Sequence, residues 1–174
     1  DVVLAWLLRW KPLMDEIQIK VVTSKFAMIA HQGPKAVDVL QDITEADLSK
    51  VRPFRIVDTR VDGIGTTLAR TGYTGEDGFE LMVSVGYAAK IWTALMELGA
   101  VPCGLGARDV LRLEAGLLLH GNDMDTSVNP YEAGLDRFVN HDREGYVARE
   151  SLRKILDVGP PRRLVGFTMS KRRS

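Results

Sequence analysis

A single cysteine, Cys103, stands in 174 residues. No intramolecular disulfide can form, and one thiol fits a reducing compartment. Set beside Pro102, Cys103 is expected to be a small buried residue. An excess of charge of one sign is equally lacking, since 23 basic side chains meet 23 acidic ones. No overall field therefore draws nucleic acid or an anionic membrane surface. The terminal run Lys171-Arg172-Arg173-Ser174, preceded by Arg162 and Arg163, is expected to be a solvated tail. No apolar run reaches the roughly 18 residues of a membrane span. No Gly-Lys-Ser/Thr makes a P-loop, and Gly104-Leu105-Gly106 leads into Ala107-Arg108-Asp109 without the third glycine of a dinucleotide fingerprint. His31, His120 and His141 are scattered, and none sits at metal-ligand spacing from another His or from Cys103, so no metal site is expected. An initiator methionine is missing as well. Asp1 to Trp10 is apolar without a charged start or a small-residue cleavage site, and it reads as the end of a helix whose beginning lies outside this sequence.

What is present has the make-up of a folded domain, with 45% hydrophobic and 26% charged residues. Ile17, Ile19 and Val21 alternate with Gln18, Lys20 and Val22, the pattern of a half-buried strand. Phe26 to Ala30 suits an inner strand and stops at the turn His31-Gln32-Gly33-Pro34. Helical spacing follows at Ala36, Val37, Val39 and Leu40. A short helix is expected over 45–49 and a strand over 54–57. Thr67 to Arg70 and the stretch from Glu80 on read as antiparallel strands, joined by a connection that holds Gly72, Gly75 and Gly78. Ala88, Ile91, Trp92, Leu95 and Met96 form the apolar stripe of a helix that Gly99 ends. A second helix is expected over 106–115, burying Val110, Leu111, Leu113 and Leu117. Turns follow at Gly121-Asn122-Asp123 and Asn129-Pro130, and a further short helix over 149–156. Val158-Gly159-Pro160-Pro161 is a linker, and Leu164 to Met169 has the content of one strand. The mixture, without regular βαβ alternation, predicts an α+β fold with mixed or antiparallel sheets and packed helices.

Acidic and basic side chains recur in Gly-rich or apolar surroundings. Glu80 follows Phe79 at the start of an apolar strand, where a solvated carboxylate is out of character. Arg108 and Arg112 are four apart on one helix, with Asp109 and Glu114 in reach. A structural ion-pair network accounts for this pattern. So does a site for a flat heterocycle, because a carboxylate accepts two parallel donors and Arg offers a planar fork of donors. Spacing leaves both open.

Two long motifs carry a resemblance. Arg70-Thr71-Gly72-Tyr73-Thr74-Gly75-Glu76-Asp77-Gly78-Phe79-Glu80 is one. Gly104-Leu105-Gly106-Ala107-Arg108-Asp109-Val110-Leu111-Arg112-Leu113-Glu114-Ala115-Gly116, continuing into Gly121-Asn122-Asp123-Met124-Asp125, is the other. Together they resemble the glycine-cleavage T-protein family. Weaker echoes are Gln32-Gly33-Pro34 and Pro130-Tyr131-Glu132-Ala133-Gly134-Leu135.

The resemblance implies a folate-binding α+β region over residues 1–157, truncated at its start, and a linker with the first strand of a C-terminal β-barrel over 158–174. It implies transfer of a methylene group from aminomethyl-dihydrolipoyl H-protein to tetrahydrofolate, with release of ammonia. It further implies that Glu80 meets the donor edge of the pterin, that Arg108 meets its opposite polarity, and that Tyr73 lines the site. Glu76 and Asp77 are assigned to the turn, and Arg112 and Glu114 to the fold. The family's catalytic aspartate follows a Gly-Gly motif that this sequence lacks, so no catalytic residue is assigned and the isolated chain is expected to be inactive.

Lipoylated H-protein and folate are the implied partners, with neither nucleic acid nor membrane. The implied location is the cytoplasm, or the mitochondrial matrix in a eukaryote. Asp136-Arg137-Phe138 and His120 depart from the family's commoner aromatic residues. Folate-linked demethylases and the folate modules of sarcosine and dimethylglycine oxidases resemble the Tyr-Thr-Gly-Glu core less closely. A non-enzymatic folate-binding relative would carry a Lys-Gly-Cys-type motif, which is absent.

Overall fold

Residues 2–11 and 17–168 are described by the computed structural model. Their internal contacts divide them into two units, Asp1–Gly72 with Glu76–Cys103, and Tyr73–Gly75 with Gly104–Ser174. The first unit starts with α1 (Val2–Trp10), a helix with no buried residue. It then builds a four-stranded sheet from β1 (Phe26–Gln32), β2 (Ile56–Val61), β3 (Ile64–Ala69) and β4 (Gly78–Ser84), all antiparallel and ordered β1-β4-β3-β2. The tightest link is Asp62-Gly63, whose φ angles of +49° and +73° make a two-residue hairpin turn between Val61 and Ile64. Few residue pairs accept two positive φ values in succession, and Asp-Gly is one of them.

β4 shows why one face is core. Phe79, Leu81 and Val83 are 0%, 0% and 1% exposed, while Glu80, Met82 and Ser84 point to the opposite face. Against the core face pack α2 (Ala36–Gln41), through Leu40, and α3 (Ala88–Glu97), through Ile91 and Leu95. Leu48, Val61 and Leu68 complete this cluster. Each such side chain contributes about 1.5–3 kcal/mol through burial. Gly99, at φ +92°, ends α3 as its position predicts.

The second unit is built from α4 (Leu105–Glu114), α5 (Arg149–Val158) and hydrogen-bonded turns. Asn129 Oδ1 accepts from the backbone N–H groups of Tyr131 and Glu132, at 3.0 and 3.1 Å, while Glu132 Oε2 accepts from Asn129 N–H at 2.9 Å. This reciprocal box satisfies donors at both of its ends. Glu132 Oε1 also meets Arg162 Nε at 3.0 Å, and its carbonyl accepts from Leu164 N–H.

The α+β class agrees with the sequence, but several elements differ. Residues 17–22 form no strand and are exposed, because alternation makes a strand only where a neighbour supplies a ladder. β1 is an edge of this sheet, not an inner strand, and its Met28 is 60% exposed. Phe54 has φ +62° and stands in a turn, so β2 starts at Ile56. The helix expected over 45–49 is a single 3-10 turn, Leu48–Lys50, started by Asp47 accepting from Ser49 N–H. Cys103 is exposed, not buried, in a segment without regular structure. Residues 162–168 carry no regular secondary structure, while Met169 and the basic tail 171–174 lie outside the described residues.

His31, on the core side of β1, is 8% exposed, and its Nε2 has no partner among the described residues. Burial lowers its pKa below the ordinary 6.5, opposed by a backbone hydrogen bond at Ala36. The unfolded chain therefore binds a proton at His31 more readily than the folded chain does. Stability is complete above 6.5 and falls as pH drops below it, by up to about 1.4 kcal/mol per pH unit. Urea melts from pH 7.5 to 5.5 are expected to show this decline, and His31→Leu is expected to flatten it; equal slopes would refute the assignment.

Candidate functional site

The Gly-rich connection between β3 and β4 is divided between the two units, with Gly72 and Asp77 in the first and Tyr73–Gly75 in the second. In the first unit Arg70 and Asp77 close the connection. Nε reaches Oδ1 at 3.0 Å and a terminal nitrogen reaches Oδ2 at 2.5 Å, a bidentate pair. The same guanidinium donates to the carbonyls of Leu48 and Val51, at 3.3 and 2.6 Å, and lies 5.6 Å over the Phe79 ring. Arg70 beside it, more than any other contact, holds the Asp77 carboxyl below the usual carboxylate range. Asp77, expected in the turn, instead lies between the bend at 73–76 and the start of β4, where it is paired with a largely enclosed arginine.

Gln32 binds the connection to the sheet. Its Nε2 donates to the carbonyls of Thr71 and Phe79, at 3.0 and 3.2 Å. Two of the glycines are explained by this approach. A Cβ on Gly72 would lie 1.8 Å from Gln32 Oε1, and one on Gly78 would lie 2.4 Å from the His31 carbonyl oxygen.

Glu80 stands half-buried on the face of β4 away from the core, opposite Ala30 of β1 and Ala69 of β3. Its Oε2 accepts the Thr71 hydroxyl. The carboxylate keeps acceptor capacity after serving Thr71.

In the second unit, Tyr73 and Arg108 are brought together, with the guanidinium of Arg108 4.5 Å from the Tyr73 ring centre. The Tyr73 hydroxyl donates to the Leu118 carbonyl. Arg108 itself is exposed, which leaves its donors accessible. Gly75 permits the approach, since it has φ +78° and a Cβ there would lie 2.6 Å from Ala115 Cβ. Of the expected residues, then, the structure joins Tyr73 to Arg108 in one unit and sets Glu80 on the sheet of the other.

The face of α4 is a correction. Val110, Leu111 and Leu113 are 55%, 38% and 64% exposed, whereas Arg112 is 3% exposed. The apolar stripe meets no apolar layer in its own unit. The Arg112 guanidinium instead folds the following segment around itself, through Asp109 at 2.8 Å, the Leu117 carbonyl at 3.2 Å and the Asp123 carboxylate. Asp123 also accepts from Leu119 N–H at 2.9 Å, and that bond first, with Arg112 after it, lowers its pKa. Arg112 therefore serves the fold, as expected, with Asp123 as a partner that lies eleven residues away and was not foreseen. Thr71 and Gln32 were likewise missed as companions of Glu80. Strand pairing alone brings them there, although the Thr-Gly motif marks the place.

Among the described residues, no group of three His, Cys, Asp or Glu could hold a metal ion. None of their helices is long and apolar enough to cross a membrane.

Comparison with known proteins adds a family. Residues 1–143 match the model of the GCVT N-terminal domain. Over 159 residues the chain is 42% identical to an aminomethyltransferase of Thermoanaerobacter, covering 88% of this chain and 43% of that protein. It is 46% identical over 156 residues to an aminomethyltransferase of Streptomyces avermitilis, covering 85% and 42%. In structure it is similar to the glycine cleavage system aminomethyltransferase T of Bartonella henselae, with a TM-score of 0.70 and 34% identity over 78% of this chain and 37% of that one. The chain thus spans less than half the length of these relatives.

Gly75→Ala is expected to lower the melting midpoint, since positive φ alone costs about 1–2 kcal/mol with a Cβ present, and the contact with Ala115 adds to that. The double variant with Ala115→Gly should recover only the contact part. Full recovery, or no loss in Gly75→Ala, would contradict this account of the loop.

Proposed function

This chain belongs to the GCVT N-terminal domain family, and on that premise we propose that the full-length protein is an aminomethyltransferase of the glycine cleavage system. In this reading it moves the methylene carbon from aminomethyl-dihydrolipoyl H-protein to tetrahydrofolate and releases ammonia. The observation that carries the reading is the Glu80 carboxylate. It is an acceptor held at one oxygen by Thr71, between two alanines, on the open face of the sheet.

A 2-amino-4-oxo pyrimidine edge presents two adjacent N–H donors, and a carboxylate with capacity left at both oxygens is their complement. Burying that edge against a charged acceptor gives stronger hydrogen bonds than a neutral one. In the second unit Arg108 offers donors suited to oxygen acceptors, and the Tyr73 ring beneath its guanidinium limits the directions it can take. Tetrahydrofolate supplies the nitrogen that receives the one-carbon unit. The residues of this chain bind and orient that ligand, and none is assigned a proton transfer.

Lipoylated H-protein is the partner that this activity requires. The division at 157/158, with a β-barrel beginning in 158–174, belongs to the same proposal, as do the cytoplasmic or mitochondrial-matrix location and the inactivity of this chain in isolation.

In the full-length protein, Glu80→Ala is expected to weaken tetrahydrofolate binding by about 1–3 kcal/mol, the loss of charged hydrogen bonds to the ligand. Isothermal titration of both proteins measures this, and equal dissociation constants would sink the assignment of Glu80.

A further inference from the structure

We propose that Thr71 is a positioning residue that fixes the Glu80 carboxylate for its ligand, and that Gln32 is the brace that holds Thr71 in place. The proposal rests on reading Glu80 as the acceptor of the donor edge.

A glutamate on the open face of a sheet has three rotatable bonds and, left alone, samples many directions. At Glu80 that freedom is removed by one donor, because the Thr71 hydroxyl bonds Oε2. A hydroxyl carries a single hydrogen, so Thr71 occupies one lone pair and leaves Oε1 and the second lone pair of Oε2 available. Two such sites in the carboxylate plane are what a pair of parallel N–H donors requires.

Thr71 is itself held. Its N–H donates to the Ala69 carbonyl at 2.8 Å, and its carbonyl accepts from Gln32 Nε2 at 3.0 Å. The same Gln32 nitrogen donates to the carbonyl of Phe79, the residue that precedes Glu80, at 3.2 Å. One carboxamide therefore ties the residue that aims the carboxylate to the strand that bears it. The arrangement also demands glycine at position 72, where a side chain would take the space of Gln32 Oε1. Gln32, Thr71 and Gly72 are spread over 40 positions of sequence and meet only because β1 and β4 pair with Gln32 opposite Gly78.

The test compares Thr71→Val, which keeps shape and loses the hydroxyl, with Thr71→Ser, which keeps the hydroxyl. Each is made in the full-length protein, with and without Glu80→Ala, and titrated calorimetrically with tetrahydrofolate. Thr71→Val is expected to raise the dissociation constant about tenfold, because the ligand must then itself restrict a glutamate side chain that Thr71 had held in place. Thr71→Ser is expected to stay within about twofold of the unaltered protein. In the Glu80→Ala background Thr71→Val should change nothing further, since no carboxylate remains to aim.

Unchanged binding in Thr71→Val, or the same loss in both backgrounds, overturns the positioning role while the assignment of Glu80 stands. Unchanged binding in Glu80→Ala alone overturns that assignment, and the positioning role falls with it. Should melting curves show that Thr71→Val does not fold, Thr71→Ala takes its place in the same comparison.

Discussion

The Gly-rich connection depends on a bidentate ion pair at its neck. Arg70 follows one strand and Asp77 precedes the next, and their side chains meet through two bonds in the fork geometry that only arginine offers to a carboxylate. An exposed pair of charges contributes little, but Arg70 also donates to two carbonyls of the 48–51 segment and covers the Phe79 ring. It is thus enclosed on several sides. With the neck closed, the residues between leave and rejoin the sheet at fixed points, and β4 enters its register with Glu80 facing away from the core.

Close packing of backbone and side chain does the remaining work in both units. In the first, a Cβ at Gly78 would run into the backbone of His31 and Gln32, and one at Gly72 would displace the Gln32 carboxamide. In the second, Gly75 meets Ala115 and brings the Tyr73 ring to Arg108. The glycines are therefore of two kinds. Gly75 is needed for its positive φ as well as for space, whereas Gly72 and Gly78 are needed for space alone.

Much of the architecture could be read in the chain. The stripe of α3, its glycine stop, the helix after Gly33-Pro34 and the two strands flanking the Gly-rich connection follow from periodicity and turn chemistry. The failures share a cause. Residues 17–22 alternate properly but find no partner, and α4 carries leucines that its own unit does not cover while it encloses an arginine. A periodic pattern says which residues share a face, not whether anything is packed against it.

The two long motifs alone determined the family, and with it Glu80, Tyr73 and Arg108 as the residues of interest. The donor and acceptor character of those side chains is a property of residue type, so sequence suffices to state it. Tertiary structure decided the rest: that Glu80 stands on the open sheet face with its carboxylate on the Thr71 hydroxyl, that Gln32 braces the donor, and that Arg112 is spent on Asp109 and Asp123. Those contacts join residues up to 47 positions apart. They depend on strand register and close approach, which are fixed only when the whole sheet and its core form together.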